Sequence, residues 1–349
     1  MKILVYGAGA VGGYVGGRLC QAGHDVTLIL REVTAAAITE QGLTLTEAGQ
    51  TVVVHPHIST SIAQTFIDLD EPFDLIILGM KAYDLSEAID HLVAFCPEPP
   101  PLLTLQNGIG VERPLIKQFG AENLIIGALT TPVSKPTNSQ IVVEKEDRGL
   151  TIAPAVKGTS VKTWQKLLQE AGVPTFALAD YQSMKWSKAF LNIVANATSA
   201  ILNRPPGAIY KVDSLFNLEK RMLREALSVM DARKLKVVDL PGPPATKLAF
   251  GVRRAPNFVL KPILTGIVAK GRGDKMPSFQ IDLMAGKGKT EVIYHNGAIA
   301  KAGRSLNIPT PVNTALTDIL VRLTRKEVDW RDYDGKPSAL LNEVKRFEK

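Results

Sequence analysis

A stripe of polar residues interrupts an otherwise mostly apolar stretch of the sequence, Ser183–Leu202. Lys188, Asn192 and Asn196 recur there at every fourth position. On one continuous helix, which this stretch predicts, the spacing places an ammonium and two amides on the same face. Such groups are costly to bury without partners, so we expect a ligand or a polar cleft to satisfy them. An exposed stripe on an amphipathic helix is the alternative.

The stripe has the chemistry to assist the reduction of a carbonyl group. A carbonyl oxygen gains negative charge as hydride arrives at its carbon, and a nearby ammonium can stabilise that charge and donate a proton. Lys188 is the ionisable member of the stripe, and burial would lower its pKa toward neutrality. Asn192 and Asn196 can bind carbonyl, carboxylate or hydroxyl oxygens of a substrate.

A glycine-rich loop near the N-terminus predicts a dinucleotide site. The loop follows an apolar, strand-like run and opens a helix-like segment. Gly7 permits the tight turn, Gly9 lets the backbone approach a pyrophosphate, and Gly12 allows the helix to pack closely on the strand. We therefore predict that the cofactor is bound by the whole loop, namely Gly7, Ala8, Gly9, Ala10, Val11 and Gly12.

The residue after the second predicted strand indicates which dinucleotide is bound. An NAD site usually has an acidic side chain there, whereas this chain has Arg31. A guanidinium suits the 2′-phosphate of NADP through charge-assisted contacts. Glu32 follows directly and keeps NAD as an alternative, and a plain surface arginine is the simplest alternative reading of Arg31.

Polar side chains also follow two further predicted strands, at the sheet edge where such folds bind ligands. Lys81 could contact a phosphate or a substrate anion. Asn107 could hydrogen-bond the nicotinamide ribose or the substrate. Near the C-terminal end, Glu291 opens a predicted helix, where a carboxylate is favoured whether or not it has a function.

The elements that must position these residues change character along the chain. Up to about residue 180, short apolar runs alternate with helix-like segments, which predicts a parallel Rossmann-type sheet. A hairpin is predicted over 43–55, and an antiparallel pair is predicted between Gln140–Glu144 and Gly149–Ala153. Beyond that, helical patterns dominate, with an irregular stretch predicted over 237–277. We therefore predict an α/β NADP-binding domain (1–180) and a mostly α-helical domain for substrate and catalysis (181–349).

Composition excludes several other classes of protein. The chain has 349 residues, two cysteines and a formal net charge of +7, with many of the basic residues between 247 and 304. No aromatic interleaving or zinc-finger spacing accompanies this basic stretch, so we predict no nucleic-acid partner. The five histidines lack metal-ligand spacing, and no apolar run is long enough to span a membrane. We expect a cytoplasmic protein with neither metal nor membrane partner.

These motifs, taken in order, resemble the ketopantoate reductase (2-dehydropantoate 2-reductase) family. The resemblance covers most of the chain and implies NADPH-dependent reduction of ketopantoate to pantoate, a step towards pantothenate and coenzyme A. It implies Lys188 as the proton donor and Ser278, with the two asparagines of the stripe, at the substrate. It places Asn107 and Glu291 at the cofactor or where cofactor and substrate meet, and Lys81 and Val133 at the cofactor.

The sequence departs from the family pattern in two places. Pro206 stands where a third substrate-binding asparagine usually lies, and proline offers neither a side-chain amide nor an N–H. The segment from Val237 to Lys275 is also longer than in compact members. Another branched 2-oxo acid or 3-hydroxy acid is therefore an alternative substrate. A sensor or scaffold that binds NADPH without turnover is the alternative from a different class, and a homodimer is compatible with the sequence.

Overall fold

The computed structural model describes residues 1–67, 70–272, 276–286 and 288–348, with side chains throughout these ranges except at 269–272. The chain divides into two compact units. The first comprises residues 1–107, 111–184 and 240–242, and the second comprises 108–110, 185–239 and 243–349. The functional division predicted at 180/181 stays a prediction.

The first unit alternates strands and helices, as the apolar runs predict. Its elements are β1 (Lys2–Tyr6), α1 (Ala10–Gln21), β2 (Asp25–Ile29), α2 (Glu32–Gln41), β3 (Leu43–Glu47), β4 (Gln50–Val54), β5 (His57–Ser59), α3 (Ile62–Ile67), β6 (Leu75–Leu78), α4 (Leu85–Phe95), β7 (Leu102–Thr104), α5 (Arg113–Phe119), β8 (Leu124–Leu129), β9 (Val133–Thr137), β10 (Gln140–Val143), β11 (Leu150–Pro154), α6 (Lys162–Glu170) and β12 (Thr175–Ala177).

An eight-stranded sheet forms the centre of this unit, in the order β12-β11-β8-β7-β6-β1-β2-β5. All neighbouring strands are parallel except β11 and β8, which run antiparallel. The central strands β1 and β6 are almost wholly apolar and buried, because helices cover a parallel sheet. The predicted Rossmann-type parallel sheet is confirmed. Its strands β1, β2, β6, β7 and β8 each end just before a predicted ligand-binding residue.

A second, four-stranded sheet has the order β4-β3-β10-β9. It contains the predicted hairpin, because β3 and β4 pair antiparallel. The predicted antiparallel pair between 140–144 and 149–153 is wrong. Instead, β10 pairs with β9 and β3, whereas β11 joins β8 in the large sheet. The turn residues between β10 and β11 end one strand and start another, and nothing local to them specifies that the two strands belong to different sheets.

Helices build the second unit, and no strand occurs in the part of it that the structure describes. Its helices are α7 (Tyr181–Ile193, which enters from the first unit), α8 (Asn196–Leu202), α9 (Pro206–Lys211), α10 (Asp213–Ala232), α11 (Ala245–Arg254), α12 (Asn257–Arg272), α13 (Ser278–Met284), α14 (Asn296–Ser305), α15 (Pro311–Thr324) and α16 (Pro337–Arg346). The predicted mostly α-helical domain is confirmed.

The expectation of an irregular stretch over 237–277 is wrong, because both α11 and α12 lie there. The Pro-Gly-Pro-Pro run ends before Ala245, so the prolines precede α11 instead of interrupting a helix. α12 also accommodates Pro262 within its length. Gly273, Asp274 and Lys275, near the end of the predicted stretch, lie outside the described residues.

Candidate functional site

The glycine loop joins β1 to α1 with the geometry that a dinucleotide site needs. Gly7 has φ +86°, and a Cβ there would come within 2.6 Å of the Met80 backbone nitrogen. At Gly12 a Cβ would lie 2.7 Å from the Gly7 carbonyl oxygen. A side chain at either position would therefore collide with the protein itself, so these two glycines are required by packing.

Gly9 differs from the two glycines that flank it. A Cβ at Gly9 would meet no atom of the described residues within 4 Å, apart from the glycine and its direct chain neighbours. Gly9 is also the N-cap of α1. In the part of the chain that the structure describes, no side chain accepts a hydrogen bond from the first-turn N–H groups of Ala10 and Val11. Open space beside free N–H groups fits a pyrophosphate. Ala8, the remaining loop residue, is buried.

The ends of β6 and β7 are tied together beside the glycine loop. The Gln106 side chain donates to the carbonyl oxygens of Leu78 at 2.8 Å and of Met80 at 3.2 Å. Lys81 follows Met80, and Asn107 follows Gln106, so these bonds hold the two predicted ligand-binding residues at adjacent strand ends. Sequence reasoning assigned no role to Gln106, although an amide directly after a buried strand is a usable signal.

Arg31 and Val133 lie at two further strand ends of the first unit. Arg31 is exposed and forms the N-cap of α2, directly after β2. Val133 is the first residue of β9, four residues after β8 ends. The structure thus brings Gly7–Gly12, Arg31, Lys81, Asn107 and Val133 to the carboxyl edge of one parallel sheet, where open α/β folds bind ligands.

Lys188 lies on α7 in the second unit and is only 8% exposed. Its pKa lies at about 7, well below the ordinary 10.5, because burial and, to a smaller degree, the positive charge of Lys185 lower it more than Glu291 raises it. An ammonium with a pKa near neutrality can release a proton readily at physiological pH. The alternative of a solvent-exposed stripe is therefore wrong for this residue.

The helix that carries the stripe is broken, so the prediction of one continuous helix over Ser183–Leu202 is wrong. α7 ends at Ile193, Ala195 has φ +51°, and α8 begins at Asn196. Such a left-handed conformation is unfavourable for alanine, and helical periodicity gives no sign of it. Asn196 therefore follows a turn and does not simply continue the face of α7.

Asn196 nevertheless stays close to the stripe. Its side-chain nitrogen donates to the backbone oxygen of Asn192 at 3.1 Å and to the hydroxyl of Ser278 at 3.0 Å. Its side-chain oxygen accepts a bond from the Phe279 backbone N–H at 3.2 Å. The structure therefore joins Asn196, on α8, to the first turn of α13, and it brings together three residues that the sequence placed at the substrate.

A histidine that sequence reasoning left unassigned completes this cluster. His295 is 3% exposed, and its Nε2 lies 3.4 Å from the side-chain nitrogen of Asn192. Its ring packs edge-on against Phe279, with centroids 5.4 Å apart. His295 lies four residues after Glu291 in the sequence, which is the signal that could have identified it. A search limited to metal-ligand spacing does not detect it.

Glu291 is buried in the first turn of a short 3-10 helix, Glu291–Tyr294, that Thr290 caps through its side chain. Its backbone N–H donates to a carboxylate oxygen of Asp282, also buried, at 3.4 Å. Glu291 is also close enough to Lys188 to raise the pKa of that ammonium. A capping role alone does not account for this electrostatic effect on a buried cation.

A second buried acid, Glu219 on α10, supports the break between α7 and α8. Its carboxylate accepts hydrogen bonds from the Ala195 backbone N–H at 2.7 Å, from the Tyr210 hydroxyl at 3.1 Å and from the Thr198 hydroxyl. Glu219 is fully buried on the apolar face of α10. An acid on such a face is the sequence signal that went unused.

Pro206 is the first residue of α9 and is buried. Because it is a proline, this position offers no side-chain amide to a substrate. The preceding asparagine, Asn203, accepts a hydrogen bond from the Gln280 side chain at 2.8 Å. The departure from the family pattern at Pro206 thus remains a real difference in the second unit.

The first unit is a dinucleotide-type α/β fold, and the second carries a buried lysine on the helix that also carries Asn192. Together these features are typical of Rossmann-type oxidoreductases. The family model described as ketopantoate reductase PanE/ApbA matches residues 3–156, and its C-terminal counterpart matches residues 180–323. This chain belongs to the ketopantoate reductase family.

Individual relatives agree with this assignment. The 2-dehydropantoate 2-reductase of Pyrococcus horikoshii is 29% identical over 90% of this chain and 95% of its own, and that of Halobacterium salinarum is 26% identical over 94% and 100%. A solved ketopantoate reductase from Ralstonia eutropha has a TM-score of 0.77 at 26% identity, covering 94% of this chain and 99% of its own. D-mandelate dehydrogenase, solved with NADH and anilino(oxo)acetate, shares the fold at a TM-score of 0.76 and 23% identity, covering 93% and 99%.

No helix among the described residues has the length and apolar character needed to cross a membrane.

Proposed function

We propose that this protein reduces ketopantoate to pantoate with NADPH, as a step towards pantothenate and coenzyme A. The observation that carries the proposal is the buried Lys188 with its pKa near 7, one helical turn before Asn192 on α7. The backbone oxygen of Asn192 in turn accepts a hydrogen bond from Asn196, which also bonds Ser278. A protein that only bound a cofactor would have no need for a buried ammonium with this proton affinity.

The cofactor would lie at the strand ends of the first unit. The open space at Gly9 and the N–H groups of the first turn of α1 fit a pyrophosphate. Arg31 supports NADPH over NADH, and Lys81, Asn107 and Val133 would contact the bound molecule from neighbouring strand ends. When bound, a reduced nicotinamide supplies the hydride that the substrate carbonyl carbon accepts.

The residues of the second unit would manage charge and protons. As the carbonyl carbon accepts hydride, Lys188 donates a proton to the oxygen, which becomes the new hydroxyl group. Asn192, Asn196 and Ser278 bind and orient the substrate oxygens. Glu291 keeps the pKa of Lys188 from falling further, so a useful fraction of Lys188 stays protonated near pH 7.

The substrate assignment is the part of the proposal that most needs an experiment. The purified protein is mixed with NADPH or NADH and with ketopantoate, 3-methyl-2-oxobutanoate or phenylglyoxylate, and loss of reduced-cofactor absorbance is followed. We expect the highest kcat/KM for ketopantoate with NADPH, with one pantoate formed per NADPH consumed.

Two other outcomes would contradict the proposal. A preference for phenylglyoxylate would indicate an aromatic 2-oxo acid reductase, a reading that the likeness to D-mandelate dehydrogenase and the absence of an amide at Pro206 make worth testing. Binding of NADPH without turnover of any 2-oxo acid would indicate a sensor.

The two free thiols, Cys20 and Cys96, support the further proposal of a cytoplasmic location, where disulfides are rare. A homodimer stays a prediction.

A further inference from the structure

Lys135, which no motif of the sequence singles out, lies against the helix that Arg31 begins. It is the third residue of β9, and its ammonium donates to the Thr34 hydroxyl at 3.2 Å. The two residues are 101 positions apart in sequence. Thr34 is in the first turn of α2, and its backbone N–H donates to the Arg31 carbonyl oxygen at 2.9 Å. Two cationic residues from distant parts of the chain therefore lie at the N-terminal end of α2.

The charge of Lys135 is not balanced within the described ranges 1–67, 70–272, 276–286 and 288–348. No carboxylate among these residues forms an ion pair with Lys135, and Thr34 is its hydrogen-bond partner. Partial burial lowers the pKa of Lys135, and no neighbouring charge contributes to that shift. A partly desolvated ammonium with a single hydroxyl partner would be stabilised by an anionic ligand.

The location indicates which anion that would be. In Rossmann-type folds the residues after the second strand contact the 2′ position of the adenosine ribose. Here the second strand, β2, is followed by Arg31 and Glu32. Thr34 lies one helical turn after Arg31, and the Lys135 ammonium bonds its hydroxyl. Glu32 is the nearest acid in sequence, and it is exposed in the first turn of α2 without a resolved bond to either cation. A phosphate monoester has three acceptor oxygens, enough for a guanidinium, an ammonium and a hydroxyl.

We propose that Lys135 binds the 2′-phosphate of the cofactor together with Arg31, with Thr34 orienting the Lys135 ammonium. Lys135 is thereby a specificity-determining residue for NADPH over NADH. This inference rests on the proposed use of a nicotinamide dinucleotide at the glycine loop, but it concerns only the adenosine end of that molecule.

Binding measurements on the full-length protein test the proposal without turnover. Dissociation constants for NADPH, NADH and adenosine 2′,5′-bisphosphate are measured by calorimetry for the unmodified protein and for K135M, K135Q, K135R and R31A. The control is K117M, which removes an exposed lysine from α5 on the same unit.

We expect K135M and K135Q to weaken binding of NADPH and of adenosine 2′,5′-bisphosphate about tenfold, the scale of one charge-assisted contact, and to leave NADH binding within about twofold. K135R should retain most of the affinity, and K117M should change none of the three constants. R31A should show the same selectivity for the phosphate-bearing ligands.

Three results would overturn the inference, namely unchanged NADPH affinity in K135M and K135Q, an equal loss for NADH, or failure of both variants to fold. The last two would mean that Lys135 only fastens β9 to α2. An unmodified protein that binds neither dinucleotide would instead refute the proposed function, so the two failures are distinguishable.

Discussion

The cofactor loop and the lysine site are built in opposite ways. In the loop, Gly7, Gly9 and Gly12 lie within six residues. Packing within the protein requires glycine at Gly7 and Gly12, whereas Gly9 borders open space. The lysine site instead draws its residues from four elements, namely α7, α8, α13 and the Glu291 turn. A break at Ala195 separates α7 from α8. A local motif therefore specifies the first region, whereas the second depends on tertiary contacts that no short motif encodes.

The break at Ala195 shows how such a dependence works. A left-handed alanine costs about 1–2 kcal/mol, and helix propensity alone would continue α7 through it. Glu219 offsets this cost by accepting the Ala195 N–H and the Thr198 hydroxyl, one on each side of the start of α8. Asn196 is thereby held where it reaches both the end of α7 and the start of α13.

The largest expected effect is at Lys188. Lys188→Ala should lower kcat for ketopantoate reduction by about 10²–10⁴, the range for losing a positioned general acid. NADPH affinity should change little, because the loop of the first unit is untouched. Steady-state kinetics and cofactor titration measure the two quantities. Lys345→Ala, which removes an exposed lysine from α16, is the matched control and should leave both unchanged.

Near-normal turnover in Lys188→Ala would show that Lys188 is not the proton donor, and Lys81 would then be the next candidate for this role.

The second effect concerns the support of the lysine site. Glu219→Ala should lower the free energy of unfolding by about 3 kcal/mol, because it leaves buried donors on Ala195, Thr198 and Tyr210 without their acceptor. Glu219→Gln keeps an acceptor for Ala195 and should lose less. Urea denaturation gives the stabilities, and the KM for ketopantoate should rise in both variants while NADPH affinity holds. A stability loss with unchanged KM would show that Glu219 stabilises the fold without positioning the substrate site.

The glycine loop offers a comparison between two single substitutions. Gly7→Ala should destabilise the protein by about 1–3 kcal/mol, because its φ is positive and its Cβ would meet the Met80 backbone. Gly9→Ala should leave stability nearly unchanged, since its Cβ would have open space among the described residues, but should weaken NADPH binding by obstructing the approach of the pyrophosphate. Thermal denaturation and cofactor titration check both; unaltered NADPH binding in Gly9→Ala would place the cofactor elsewhere.

The smallest effect is expected at Asn196. Asn196→Ala should raise the KM for ketopantoate about tenfold, because one hydrogen bond to a charged substrate is lost, and should leave NADPH affinity nearly intact. Ser278→Ala, which removes its hydroxyl partner, should act in the same direction. A loss confined to NADPH affinity would show that this pair faces the cofactor and not the substrate.

These contrasts also explain what the sequence could and could not predict. The parallel sheet, the helical second unit and the burial of Lys188 follow from apolar periodicity, which depends on neighbours in sequence. The separation of β10 from β11, the helices within 237–277 and the break at Ala195 depend on pairing with distant segments. His295 and Glu219 were missed for the same reason, since their partners lie 103 and 24 positions away.

The lowered pKa of Lys188 predicts how both the stability and the activity of the protein change with pH. Between pH of about 7 and 10.5 the unfolded chain binds the Lys188 proton more tightly than the folded protein does, so this residue contributes stability that increases with pH across that window. The activity runs the other way, because only the protonated form can donate to the substrate oxygen. Reduction should therefore weaken as pH rises through about 7.

The pH profile of kcat/KM for ketopantoate reduction, measured for the unmodified protein and for Lys188→Arg, tests the central claim most directly. Further buried ionisable residues lie in this part of the second unit, among them Lys185, Glu219, Asp282, Glu291 and His295, so the variant is needed to assign the titration. We predict that kcat/KM for the unmodified protein falls about tenfold per pH unit above about 7, and that the low residual rate of Lys188→Arg lacks this decline, because a guanidinium stays protonated. A Lys188→Arg variant that keeps both substantial activity and the same decline would show that another group donates the proton.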